Sequence, residues 1–186
     1  MSKIALTPNA SGSGTFTIAS PNSDTDRTLT LPDEAGTVLT SVSTFSQNSG
    51  PAFRATKSPS SQSISAGVWT VLQYNSEEFD TDSCFNTSTY SFTPTVAGYY
   101  QVNACVQFAD AAAQYGLAVA KNGTRITEIA REGQTSISYP SMAISDLVYL
   151  NGSTDYINIE GYSSNSTETF YFDRWGIFTA SMVRAA

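Results

Sequence analysis

The sequence predicts an all-β protein, a short N-terminal β-arm followed by a β-sandwich of the jelly-roll type. Three observations carry that prediction. From Tyr100 to Phe108 the apolar residues Tyr100, Val102, Ala104, Val106 and Phe108 alternate with Gln101, Asn103, Cys105 and Gln107, the period of a strand with one buried face. Similar short runs recur along the chain with turn residues between them, Asn122-Gly123 and Asn151-Gly152 among them, as sandwiches require. Neither a heptad pattern, a collagen-like glycine repeat nor a long helical period is present.

In chain order, the arm comes first. Thr15-Phe-Thr-Ile sets Phe16 and Ile18 in phase, and Thr28-Leu-Thr-Leu does the same for Leu29 and Leu31. Between them, Ser20-Pro-Asn-Ser-Asp-Thr-Asp supplies the turn chemistry of a hairpin or looped-out arm. Leu31-Pro-Asp-Glu-Ala-Gly-Thr-Val-Leu-Thr reads as a strand end, a turn and another short strand. So few apolar residues bury too little surface to be stable alone. The arm is therefore expected to pair with sister copies or lie on a larger assembly, anchored by Phe16, Ile18, Leu29 and Leu31. A linker at about residues 41–50 divides the chain into an arm, 1–45, and a knob, 46–186.

The knob reads as strand after strand. Pro51-Ala-Phe-Arg-Ala opens it and Val68-Trp-Thr-Val-Leu-Gln-Tyr follows. Phe92-Thr-Pro is extended, because the ring of Pro94 pushes Thr93 away from helical angles, and Ala97-Gly98 turns the chain into the long alternating strand. Ala109-Asp-Ala-Ala-Ala-Gln reads as a connection between two strands, with one helical turn as the alternative. Gly116–Lys121, Leu147–Leu150, Ile157–Gly161 and Ile177–Val183 are further strands. The two Asn-Gly pairs favour tight hairpins, since both residue types accept positive φ.

The order Phe92-Thr-Pro-Thr-Val-Ala-Gly-Tyr-Tyr resembles the signature at the centre of the jelly rolls of complement globular heads and tumour-necrosis-factor ligands, with Pro94 one place early. The likeness extends over roughly residues 51–186. Val71-Leu-Gln-Tyr-Asn, Gly116-Leu-Ala-Val-Ala-Lys-Asn-Gly, Leu147-Val-Tyr-Leu-Asn-Gly-Ser-Thr-Asp-Tyr-Ile-Asn-Ile and Phe178-Thr-Ala-Ser-Met stand in the family's order. Ser153-Thr154 interrupt the family's hairpin motif that begins at Leu147, and Ala180 stands where the closing motif has glycine. The resemblance implies a trimeric module, of a kind also found at bacteriophage fibre tips. Arg27-Thr-Leu-Thr-Leu-Pro-Asp-Glu-Ala-Gly-Thr resembles a segment near the N-termini of phage fibre and virion surface proteins.

Composition narrows the function. Only 13% of residues are charged, against about 25% in an average soluble protein, so Ser, Thr and Asn carry the polar surface. A formal charge of −7 with no basic run argues against nucleic acid as a partner. No secretory h-region follows Met1, and no apolar run approaches the roughly 18 residues of a membrane span. Synthesis in a host cytoplasm without membrane insertion is expected, which makes the Asn-X-Ser/Thr sequons at Asn9, Asn86, Asn122, Asn151 and Asn165 incidental. A cytoplasmic product also argues for thiols at Cys84 and Cys105, with a disulfide between them left open.

The chain has no histidine, which removes the commonest general base and zinc ligand. Glu77, Glu78, Asp80 and Asp82 crowd one short stretch, whereas paired glycosidase acids usually come from separate strands. No enzyme activity, cofactor or catalytic residue is expected. The same acidic loop, Glu77–Asp82, offers the hard oxygens that calcium takes, and some members of the resembled family bind calcium near the trimer apex. A solvated negative loop is the plainer reading. Gly12-Ser-Gly is too short for a phosphate loop and follows no strand.

In Phe170-Tyr-Phe-Asp-Arg-Trp aromatics fall on both strand phases, and apolar patches above a few hundred Å² seldom stay exposed on monomers. Tyr99, Phe170, Phe172 and Trp175 are therefore the candidates for trimer packing. The expectation is a structural protein of a virion surface, a homotrimeric knob held to capsid or tail proteins by its arm. A capsid decoration, cement or head-fibre role stands first, because the sequence between arm and knob offers no shaft. A tail fibre or spike tip that binds a host receptor is the alternative. A carbohydrate-binding or cytokine-like module is a further one, with a host surface glycan as partner.

Overall fold

The structure, a computed structural model, describes residues 10–15, 17, 19, 22–26, 28, 50–59, 61–109, 114–132, 140–164, 168–172 and 176–186. The chain divides into two compact units, Met1–Ser43 and Thr44–Ala186. In the first, every described residue is exposed, and the Ser23 hydroxyl accepts the Thr25 N–H at 3.2 Å in a local turn. The anchoring candidates Phe16, Ile18, Leu29 and Leu31 lie outside the described residues.

The second unit contains strands and, among the described residues, no helix. They are β1 (Ala52–Thr56), β2 (Ser61–Ile64), β3 (Thr70–Val71), β4 (Ser76–Asp80), β5 (Phe85–Asn86), β6 (Ser91–Phe92) and β7 (Ala97–Phe108). After these come β8 (Gln114–Lys121), β9 (Thr124–Glu132), β10 (Ser141–Asn151), β11 (Ile157–Ser163), β12 (Glu168–Tyr171) and β13 (Ile177–Ala185). A front sheet runs β2-β12-β7-β13-β1-β4, with β10 on the free side of β7. A back sheet runs β5-β6-β11-β8-β9, with β3 also on β11. All pairings are antiparallel, and the chain crosses between sheets from β7 to β8, from β9 to β10 and from β10 to β11. This is an all-β jelly-roll sandwich.

Alternation in the sequence becomes burial in space. Tyr100, Val102, Ala104, Val106 and Phe108 of β7 point inward with Met142, Ile144, Val148 and Leu150 of β10. They meet Tyr115, Leu117 and Val119 of β8 and Ile157 and Ile159 of β11 in one core. Phe53 joins the two layers: its ring stacks on Phe85 at 4.5 Å and Phe92 at 4.7 Å, and meets the edge of Phe178 at 4.8 Å. Each such side chain contributes roughly 1.5–3 kcal/mol by leaving water.

Tyr100 is fully buried, and its hydroxyl donates to the Val96 carbonyl at 2.6 Å, fastening the turn that precedes β7. The Phe92 and Tyr100 rings meet at 5.5 Å. At Gly98 a Cβ would lie 2.4 Å from the Arg184 carbonyl oxygen, so β13 can close on β7 there only because a side chain is absent. At Asn122-Gly123 both φ angles are positive, 52° and 75°, and a two-residue turn joins β8 to β9 as the sequence predicts.

Asn151-Gly152 is not a tight hairpin. β10 belongs to the front sheet and β11 to the back, so the turn carries the chain across the sandwich. The Asn151 side-chain oxygen holds it by accepting the N–H groups of Ser153, Thr154 and Asp155 at 2.9–3.0 Å. The expected strand over 68–74 is reduced to Thr70–Val71. Just beyond, the Gln62 side chain donates to the Val71 carbonyl at 3.0 Å and accepts the Gln73 N–H at 2.8 Å, replacing a ladder neighbour. The acidic segment is also corrected: Ser76–Asp80 is strand β4, paired with β1.

Candidate interaction surfaces

The outer face of the front sheet is built from the outward phases of β7, β10 and β13. In register, Tyr149 lies beside Tyr99, Leu147 beside Gln101, Ser145 beside Asn103 and Ala143 beside Cys105. On the other side Ser181 flanks Gln101 and Thr179 flanks Asn103. The Tyr99 and Tyr149 rings tilt together at 5.6 Å. They remain 44% and 42% exposed, with Leu147 at 55% and Val183, at the β13 irregularity, at 54%. Further along, the face is neutral and polar. Gln101 Nε2 donates to Ser145 Oγ at 2.8 Å, and Ser145 Oγ donates to Asn103 Oδ1 at 2.9 Å.

Lys121 ties the β8–β9 turn to the apolar end. Its Nζ donates to the Tyr149 carbonyl at 2.8 Å, lies 5.6 Å from the centre of that ring, and pairs with Asp155 at 2.8 Å. The hydrogen bond from Lys121, then that from Asn122, holds the Asp155 carboxyl below its usual range.

Of the residues singled out for trimer packing, Tyr99 stands on this outer face. Phe170 and Phe172 do not: both are buried in the core, Phe170 4.6 Å from the Phe108 ring and Phe172 5.1 Å from Tyr74. Pairing of β12 with β2 and β7 turns their phase inward. Trp175 lies outside the described residues. Sequence reasoning missed Leu147, Tyr149 and Val183. The available signal was Leu147-Val-Tyr-Leu, apolar on both phases, which marks a strand covered on both faces.

The acidic segment is engaged with the protein itself. Glu78 pairs with Arg54 at 2.6 Å, and the Asp80 oxygens accept from the N–H groups of Phe85 at 2.6 Å and Asp82 at 3.3 Å. Among the described residues no three carboxylate, thiol or imidazole groups gather as a metal site. The cysteines remain thiols. Cys84 is buried, which pushes its thiol pKa up, whereas Cys105 is half-buried on the outward phase of β7.

The outer face of the back sheet differs. Its floor is the outward phase of β8, Gly116, Ala118 and Ala120, beside Tyr162, Glu160 and Asn158 of β11. Trp69 stands on Gly116, where a Cβ would come within 2.4 Å of its ring. Its indole is held between Tyr162, with ring centres 5.3 Å apart, and the Arg125 guanidinium, 4.8 Å from its ring. Arg125 also reaches Glu128 and Glu160, each at 3.2 Å, and the hydrogen bond to Glu160, above all, raises its pKa. Asn158 is 7% exposed, and its Oδ1 has no hydrogen-bond partner among the described residues.

No protein-family model matches the chain, and no curated protein matches it in sequence. Solved structures do match in fold. The tumour necrosis factor Eiger from S. frugiperda aligns with a TM-score of 0.59 at 8% identity, over 73% of this chain and 93% of that one. The globular domain of zebrafish complement 1qA aligns at 0.57 and 14% identity, over 74% and 99%. The vertex protein P5 of PRD1 aligns at 0.55 and 15% identity, over 72% and 73%. The fold is thus a jelly roll of the tumour-necrosis-factor and complement-head type.

Proposed function

We propose that this chain is a non-enzymatic virion surface protein, synthesised in a host cytoplasm, whose jelly roll associates as a homotrimer and whose arm attaches it to a particle. The carrying observation is the exposed apolar end of the front sheet, where Tyr99, Tyr149, Leu147 and Val183 lie together. Large apolar groups clustered this way on a small sandwich mark a protein contact. Supporting it are the shared fold with jelly rolls whose signature implies trimers, and the likeness to a PRD1 vertex protein. The arm's resemblance to virion surface proteins supports the attachment. A capsid decoration or head-fibre placement is the first reading, and a tail fibre or spike tip the second.

Sedimentation equilibrium of the full chain tests the assembly. A trimer is expected, and a monomer at micromolar concentration would remove this reading. Attachment is tested by replacing Leu29 and Leu31 with serine and pulling down the protein with particles that lack the native copy. Loss of incorporation with the trimer intact is expected, because three linked arms act at high effective concentration. Normal incorporation would assign attachment to the knob.

A further inference from the structure

The outer face of the back sheet carries a second cluster, on the sheet opposite the exposed front-face patch. From its geometry we infer that Trp69, Tyr162, Arg125, Glu128, Glu160 and Asn158 form a binding site for a neutral oligosaccharide. The buried Asn158 Oδ1 is the first reason. A carbonyl oxygen withdrawn from water without a donor is costly and rare in a folded protein, so the group calls for a donor, a bridging water or a ligand hydroxyl, that the described residues do not supply. Asn158 shares the outward phase of β11 with Glu160 and Tyr162, so that donor arrives on the same face as the aromatic pair.

The rest of the cluster defines the ligand. Two carboxylates against one guanidinium repel anions such as phosphate or sulfate and favour an uncharged partner. Carboxylate and amide oxygens accept, the guanidinium donates, and the Trp69 and Tyr162 rings offer apolar surface. A sugar combines hydroxyl donors and acceptors with an apolar C–H face, and matches that set. Tyr162, Glu160 and Asn158 follow one another at every second position of β11, so the site spans roughly 13 Å from aromatic to amide end. That length suits a short oligosaccharide better than one ring. Gly116, Ala118 and Ala120 beneath the cluster are closed off by the chain itself, so the ligand would rest on the ring pair and the polar groups.

The site lies on the sheet opposite the proposed association patch, and its test reads glycan binding rather than oligomeric state. Full-chain protein is applied to an array of neutral glucose-, galactose-, mannose- and N-acetylglucosamine-based oligosaccharides beside sialylated and sulfated ones, and the best binder is titrated calorimetrically. Saturable binding to neutral members is expected. Asn158→Ala and Glu160→Gln should each weaken it by about tenfold or more, the scale of one hydrogen bond to a buried or charged group. The melting midpoint of Asn158→Ala should hold or rise, because an unsatisfied acceptor is removed. Absence of saturable binding, a preference for the anionic members, or binding unchanged in both variants would overturn the proposal. So would a lowered midpoint in Asn158→Ala with glycan affinity intact, which would make the amide part of the fold alone.

Discussion

The two outer faces of this sandwich begin from the same strand alternation and end differently. On the front sheet, Tyr99, Leu147, Tyr149 and Val183 project with little but each other to cover them. On the back sheet the outward residues of β8 are Gly116, Ala118 and Ala120, and Trp69 from another segment is laid on Gly116 between Tyr162 and Arg125. One face leaves apolar side chains standing open, whereas on the other the chain covers its own strand floor and leaves a ring pair and polar groups outermost. Outward phase alone does not make a contact surface, because what decides it is whether the chain supplies its own cover.

Breaking what the faces share should have the largest effect. Phe53 touches Phe85 and Phe92 of the back sheet and Phe178 of the front, so Phe53→Ala should cost about 3–5 kcal/mol in urea unfolding. A loss below about 1 kcal/mol would mean that the sheets are stabilised separately. Next comes the front face alone. Leu147→Ser with Tyr149→Ser should dissociate the proposed trimer in sedimentation, each losing up to roughly 1.5–3 kcal/mol of burial per interface, while circular dichroism of the monomer stays native. An intact trimer would move the contact elsewhere.

On the back face, Trp69→Ala should lower the melting midpoint and leave sedimentation unchanged. The lost ring pair with Tyr162 accounts for about 0.5–1.5 kcal/mol beyond the area exposed. A change of oligomeric state would join the two faces in one interface. The smallest effects are pH-dependent. Asp155 is held below its ordinary value of 3.8 by Lys121, so its contribution is complete above that value and fades as pH falls through the lower folded one. Lys121→Met should flatten this acid limb in urea melts. Tyr100, pushed by burial from 10.0 to about 12, is held protonated in the fold, so stability should decline as pH rises from 10 towards 12.

Local physics was legible in the sequence and long-range partnership was not. The β7 alternation and the Asn122-Gly123 turn were readable because strand phase and positive φ are local properties. Asn151-Gly152 has the same local preference, yet its flanking strands belong to opposite sheets, which no neighbouring residue encodes. Phe170 and Phe172 could be seen to share a phase, but only pairing of β12 with β2 and β7 determines that this phase faces inward. The back-face cluster was the least visible. It joins Trp69, Arg125 and Asn158 from three separated segments, and Asn158 gains meaning only through burial without a donor.

The unequal settings of the two cysteines place a chemical reporter in the native protein. Cys84 is enclosed, and burial keeps its thiol protonated to higher pH. Cys105 faces outward from the middle strand of the front sheet, in the row beyond Asn103. An alkylating reagent at neutral pH should therefore modify Cys105 well before Cys84 in dilute, dissociated protein. With association through the front sheet as proposed, that reaction should slow as concentration rises while Cys84 stays inert. Mass spectrometry of alkylated peptides would then follow association, and identify the covered face, without a single substitution.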